Sequence, residues 1–182
     1  MKKLIALSLT LLSLQAISQT EMTVTVGGES MYPSKNIIEN AVKSADHTTL
    51  VAAVQAAGLV ETLSGKGPFT VFAPVNDAFE NLPEGTVESL LKPENKALLT
   101  TVLTFHVLSG KYDFNALAAE IKKGKGSAKL KTVAGAVLTF TMNGEHNITI
   151  TDEKGNKANI SVYDVNQSNG VIHVIDEVLM PK

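Results

Sequence analysis

Apolar residues recur at two periods along the chain, and the change between them divides it into a helical part and a strand-rich part. From residue 34 to residue 123 the spacing is helical. Ile37, Ile38, Ala41 and Val42 form one face of a short helix that Ser34 is placed to cap, and Leu50, Val51, Val54 and Ala57 form the face of a second helix behind Asp46. Gly58 stands where a left-handed residue ends a helix at little cost. Leu59, Val60 and Leu63 carry the apolar surface one turn further, until Gly65 to Pro68 interrupts it. Phe69 to Ala73 is a compact β-prone run closed by Pro74, which has no N–H to offer a sheet ladder. Asn76 or Asp77 starts a brief turn that buries Ala78 and Phe79, and Thr86 caps another that carries Val87, Leu90 and Leu91. A longer helix is predicted from Pro93 to about Val107 with Leu98, Leu99, Val102, Leu103 and His106 on its inward stripe, and a shorter one from Phe114 to Ile121.

Beyond Ala128 the period falls to two, as in a sheet that follows helices. Ala128–Val133, Val137–Met142, Asn147–Thr151, Ala158–Val165 and Val171–Val178 are the predicted strands, separated by Gly135, Asn143-Gly144, Gly155-Asn156 and Asn169-Gly170. Asn-Gly pairs favour tight turns because both residues tolerate positive φ. With Phe69–Ala73 these strands predict an α+β fold, an antiparallel-rich, β-sandwich-like core packed against N-terminal helices. Residues 19–33, with Gly27-Gly28 and Pro33, read as an extended leader, and residues 34–182 as one domain without internal repeats.

The start of the chain has a separate role. Lys2 and Lys3 precede an apolar stretch from Leu4 to Leu14 that is too short for a permanent membrane span, and Ala16 and Ser18 suit cleavage before Gln19. Residues 1–18 therefore read as a secretory signal, and no integral membrane segment is expected in the mature protein. Its removal leaves 14 basic against 18 acidic groups, a net charge of −4, which gives no general attraction to nucleic acid. The chain has no Cys, which excludes disulfides, thiol chemistry and a lipidated cysteine, so packing alone must hold the exported domain.

Candidate chemistry is sparse. His47, His106, His146 and His173 lack a second His or Cys at the close spacing of a zinc clip, and the apolar patterns around His106 and His173 suit buried, hydrogen-bonded rings. Ser109, His106 and Asp113 supply the residue types of a hydrolytic triad without the elbow that exposes its serine. Asp176 and Glu177, adjacent in a strand, point to opposite faces. Asp152, Glu153 and Asn156 surround a turn that lacks the closing Glu of a calcium loop. Asn147-Ile148-Thr149 and Asn159-Ile160-Ser161 have glycosylation spacing, which matters only in a cell with that machinery. Lys122, Lys123 and Lys125, with Lys129 and Lys131, are the one basic concentration; they fit either a polyanion contact or a solvated loop and strand edge.

Two blocks are more specific than their periodicity. Gly67-Pro68-Phe69-Thr70-Val71-Phe72-Ala73-Pro74, continued by Asn76-Asp77-Ala78-Phe79, resembles the first signature of the fasciclin (FAS1, beta-Ig-H3) domain family. Asn169-Gly170-Val171-Ile172-His173-Val174-Ile175-Asp176, followed by Val178-Leu179-Met180-Pro181, resembles the second. Between them Phe105-His106 is similar to the family's central Tyr-His pair, with Phe in place of Tyr. The resemblance spans roughly residues 34–181 and is to the small, secreted, single-domain bacterial members. It implies a FAS1-like fold, no enzyme and no cofactor, and a binding role in cell adhesion or surface and matrix association, with an undefined protein or surface polysaccharide as partner. The signature residues themselves, Phe69, Thr70, Phe72, Pro74, Asn76, Phe79, His106, Asn169, Gly170, His173 and Asp176, read as architectural. An alternative function is a periplasmic small-molecule carrier or sensory component that uses a cavity between helices and sheet.

Overall fold

A computed structural model describes residues 21–182. The expected signal segment and its cleavage point lie outside the described residues. The chain begins with β1 (Val24–Val26) and β2 (Glu29–Met31), then helices α1 (Ile37–Ala41), α2 (Thr48–Ala57) and α3 (Val60–Ser64). Strand β3 (Phe69–Pro74) leads to helices α4 (Asn76–Glu80), α5 (Thr86–Leu90) and α6 (Lys96–Phe105). Strand β4 (Val107–Ser109) and helix α7 (Phe114–Lys123) precede β5 (Ser127–Lys131), β6 (Val137–Met142), β7 (Ile148–Thr151), β8 (Lys157–Gln167) and β9 (Gly170–Ile175).

Strands β3 to β9 form one sheet in the order β4-β3-β9-β8-β7-β6-β5, antiparallel at every pairing except β3 with β9. Its two ends meet where Leu108 bridges Thr132 and the Val133 N–H donates to the Val107 carbonyl at 2.8 Å, so the sheet curls into a near-barrel. Side chains alternate across it. Phe72, Leu108, Phe140, Ile150, Ile160 and Ile175 point into the curl, where Leu117 and Ile121 of α7 join them. Val71, Ala73, Val107, Ile172 and Val174 point the other way, against Leu50, Val54, Leu99, Val102 and Leu103 of α2 and α6. Strands β3 and β9 are thus covered on both faces, and their unbroken apolar sequences follow from that burial.

The segment read as a leader is partly built into this fold. Residues 24–31 form a hairpin turned at Gly27-Gly28, both with positive φ, and Val26 and Met31 are buried in the helical core. Asn40 fastens its exit: its Oδ1 accepts from the Tyr32 N–H at 3.1 Å, and its Nδ2 donates to the Tyr32 carbonyl at 2.8 Å and to Gln167 Oε1.

Several local expectations change for identifiable reasons. The cap of α1 is Asn36 rather than Ser34, in a reciprocal box with Glu39. Asp46 lies within a 3-10 turn, and α2 is capped from a distance by Asn76, whose Oδ1 accepts from the Thr49 N–H at 3.1 Å and the Thr48 hydroxyl at 3.2 Å. Helix α6 ends at Phe105, because the next residues are drawn into β4. Leu98 is 51% exposed, since only the stripe through Leu99, Val102 and Leu103 faces the core.

The last hairpin also turns one residue earlier than expected, at Ser168-Asn169, and Gly170 is the first residue of β9, paired with Phe69. Gly170 does not have a left-handed φ; it is required because a Cβ there would run into the Phe69 carbonyl. Gly170→Ala should therefore already destabilise the fold by about 1–3 kcal/mol, with Gly170→Val at least as costly. Urea midpoints measure this, and an alanine variant as stable as the parent would refute the close approach.

Candidate functional site

The signature side chains converge on the seam where β3 and β9 lie side by side. Thr70 is fully buried; its hydroxyl donates to the Gly110 carbonyl at 2.7 Å and accepts from the Tyr112 N–H at 2.8 Å, fixing the segment between β4 and α7. Phe72 packs on Phe140 with centroids 5.4 Å apart and stacks on His173 at 5.7 Å. Phe69 and Phe79 are half-buried against the helical core, and Pro74 ends β3 opposite Ile175. Asn169 Oδ1 accepts from the Ile37 N–H at 3.0 Å while its Nδ2 donates to the carbonyls of Leu63 at 2.8 Å and Gly65 at 2.9 Å. One amide thus joins the start of α1 to the end of α3. The exposed Asp176 accepts from the Asn159 backbone N–H at 2.6 Å and from its side chain at 3.0 Å, holding β8 to the end of β9.

The hydrogen-bonding capacity of imidazole is spent on structure at two of these positions. His106 Nδ1 donates to the Val102 carbonyl at 2.8 Å and Nε2 accepts from the Leu179 N–H at 3.0 Å, while its own carbonyl accepts from Phe72 at 2.9 Å. Burial pushes this ring down to about 4, against the opposing pull of the Val102 carbonyl and the Asp152 carboxylate. His173 Nε2 donates to the Tyr112 carbonyl at 2.8 Å, and Nδ1 accepts from the Asp164 N–H at 3.3 Å. Burial lowers its pKa as well. With both ring nitrogens of His106 engaged by backbone, it forms no triad with Ser109 and Asp113; Asp113 instead caps α7 through the Ala116 N–H at 2.8 Å.

Asp152, expected in a solvated turn, is buried. Its carboxylate accepts from the Lys154 and Asn156 N–H groups, the Asn156 side chain and the Met180 N–H at 2.8–3.0 Å. The turn is therefore a fully bonded anchor for the C-terminal segment. Among the described residues no three His, Asp or Glu side chains are grouped to hold a metal ion.

Residues 45–181 match the family model described as the fasciclin domain. The chain belongs to the fasciclin domain family. Protein sll1483 of Synechocystis sp. is 44% identical to it over 176 residues, covering 97% of this chain and 90% of that one. The uncharacterized protein sll1735 of the same organism is 35% identical over 145 residues, covering 80% of this chain and 97% of that one. In three dimensions the fold is similar to that of a FAS1 domain pair from the insect cell adhesion molecule fasciclin I, with TM-score 0.71 and 18% identity, covering 82% of this chain and 52% of that chain. Fasciclin domains are non-catalytic modules, and Thr70, His106, Asn169 and His173 of this one make their hydrogen bonds within the domain.

The basic concentration lies elsewhere on the fasciclin domain. Lys122 and Lys123 are in the last turn of α7, where cations complement the helix dipole, and Lys125 follows in a left-handed turn. Lys129 and Lys131 share the outer face of β5, with Ala128 buried on the other. All five lysines are exposed; Lys123 Nζ lies 3.5 Å from Glu120 on the surface. Among the described residues no helix is long and apolar enough to cross a membrane.

The buried histidines set a pH dependence. Because the folded pKa of His106 lies near 4, below the ordinary 6.5, the unfolded chain binds the proton first as pH falls. Stability is retained above about pH 6.5 and lost progressively toward pH 4, by about 3 kcal/mol for this ring, with His173 acting in the same direction. Urea titrations at pH 7 and pH 4.5 should show the loss, and His106→Gln should flatten it while lowering stability at pH 7. An unchanged slope in the variant would remove His106 as its source.

Proposed function

We propose that this fasciclin domain is an exported, non-enzymatic binding module for cell adhesion or surface and matrix association, with Lys122, Lys123 and Lys125 as its contact for an acidic polysaccharide or protein partner. The observation that carries the reading is the exposure of these ammonium groups, together with Lys129 and Lys131, on one continuous segment of a chain whose net charge is negative. Several flexible ammonium groups suit diffuse anionic charge better than a single fixed phosphate. By contrast, the hydrogen bonds of Thr70, His106, Asn169 and His173 are made within the domain, which leaves these groups no role at a surface. Family membership supports the adhesion class, since a solved fasciclin domain pair comes from a cell adhesion molecule. Export is supported by the basic and apolar pattern of residues 1–18.

Two measurements test the reading. Replacing Lys122, Lys123 and Lys125 together by Gln should weaken binding to an immobilised acidic polysaccharide such as alginate by about tenfold or more, in a salt-sensitive manner, with the urea midpoint unchanged. Binding that survives the triple substitution would move the contact off this surface. Intact mass of protein recovered from the native envelope or medium should correspond to a chain that begins at Gln19; a full-length chain confined to the cytoplasm would contradict export.

A further inference from the structure

The helical layer does not fill the space over the sheet. A cavity of about 90 Å³ remains between the β1–β2 hairpin, α1, α2, α3 and the strands beneath them, walled largely by Met31, Ile37, Leu50, Val54, Leu63 and Ile172. Exposed Val42 and Gln55 also border it, so it reaches the surface between the end of α1 and the last turn of α2. Ser44 and His47 contribute polar groups to this apolar lining. Both are buried, and Ser44 Oγ lies 2.8 Å from His47 Nδ1.

The other ring nitrogen, His47 Nε2, is buried without a hydrogen-bond partner. Ser44 Oγ has no other side-chain hydrogen bond among the described residues, so donation of its proton to Nδ1 leaves one unmatched group, the Nε2–H donor. The opposite tautomer would strand two. Burial lowers the pKa of the ring and keeps it neutral; the Ala73 carbonyl on the cavity wall pulls the other way but lies outside hydrogen-bonding geometry. A buried donor in this position carries the desolvation cost of a bond it does not make. An ordered water beside Nε2 would find few further polar contacts, because apart from Ser44, the Ala73 carbonyl, Gln55 at the mouth and the fully bonded His106 the walls are apolar.

We propose that the cavity is a binding site for a small neutral molecule with an apolar body and one oxygen acceptor, and that the acceptor takes the His47 Nε2 proton. At about 90 Å³ the cavity is smaller than the roughly 150 Å³ apolar cavity that takes up benzene, which suits a compact small molecule. A charged head is disfavoured because no buried counter-charge lines the walls. This site is distinct from the lysine surface, and its occupation leaves that surface free.

Cyclopentanone and cyclopentane are matched probes that differ by the carbonyl oxygen. In ¹⁵N and methyl NMR titrations of the mature protein, cyclopentanone should shift the His47 Nε2–H resonance and the methyls of Leu50 and Val54 in one saturable event. Its carbonyl must be matched by the Nε2–H, since an unmatched carbonyl in this apolar cavity would carry a desolvation cost that cyclopentane does not have. His47→Leu should lower the affinity for cyclopentanone relative to cyclopentane by about tenfold or more, because the carbonyl is then buried without a donor, and Val54→Ile, which narrows the cavity, should weaken both. If His47→Leu does not fold, the imidazole resonance of the parent protein decides. The proposal is overturned if neither probe saturates, if His47→Leu leaves the ratio of the two affinities unchanged, or if the methyls respond while the Nε2–H resonance stays fixed.

Discussion

Strands β3 and β9 lie in parallel register, Phe69 opposite Gly170 through to Pro74 opposite Ile175, and both hydrophobic clusters of the domain include side chains from this pair. It joins segments about a hundred residues apart, so the entropy of closing the loop must be recovered by burial on both faces of the pair. The curled half of the sheet covers one face and helices α2 and α6 cover the other. A side chain at Gly170 would push the two strands apart at the point where the pairing begins, and a side chain at Gly67 would meet the Asn169 carbonyl beside it.

Around this seam the polar groups act as ties between layers. His106 connects α6, β3 and the C-terminal segment; Asn169 connects α1 and α3; Thr70 fixes the approach to α7. Asp164 sits in a left-handed conformation where β8 is irregular, and its Oδ1 accepts from the Phe114 N–H at 2.8 Å, which places the start of α7. Apart from the local bond of His106 to Val102, each tie is a buried or partly buried hydrogen bond between distant residues, and its loss would leave a polar group unmatched. Thr70, His106 and Asn169 thus tie the layers to one another from inside the domain.

Legibility from sequence followed the scale of the interaction. The β6 run was readable because Val137–Met142 alternates regularly between positions that enter the curl and positions that leave it, and α2 was readable because its apolar stripe ends at a left-handed Gly58. The β1–β2 hairpin was hidden: its strands have three residues each and bury few side chains, although the Gly27-Gly28 pair was its signal. Strand β4 was absorbed into the apolar pattern of α6, because Val107 continues a helical stripe until the sheet captures it. Asn76 was recognisable as a capping residue, but the helix it caps lies 27 residues earlier, a relation that no local pattern carries. The lysine surface was visible as composition. A cavity between helices and sheet was conceivable from the fold class, but its lining was not readable, since its walls come from elements scattered from Val26 to Ile172.

The two faces of the seam handle a buried imidazole in opposite ways. Inside the curl, His173 is stacked on Phe72 and both nitrogens are bonded to backbone, so the ring acts as a filled core position. On the helical side, short elements such as the five-residue α1 and α3 and the three-residue strands must cover a twisted sheet surface, and they do not match it everywhere. The gap opens beside His47, where Ser44 bonds one nitrogen and nothing bonds the other. A domain that matches nearly all its other buried polar groups has no packing need for an imidazole at the wall of an apolar hollow; a leucine would cover the same surface without an unmatched donor. The unfilled space and the unmatched donor occur together, and an acceptor on a small apolar ligand resolves both.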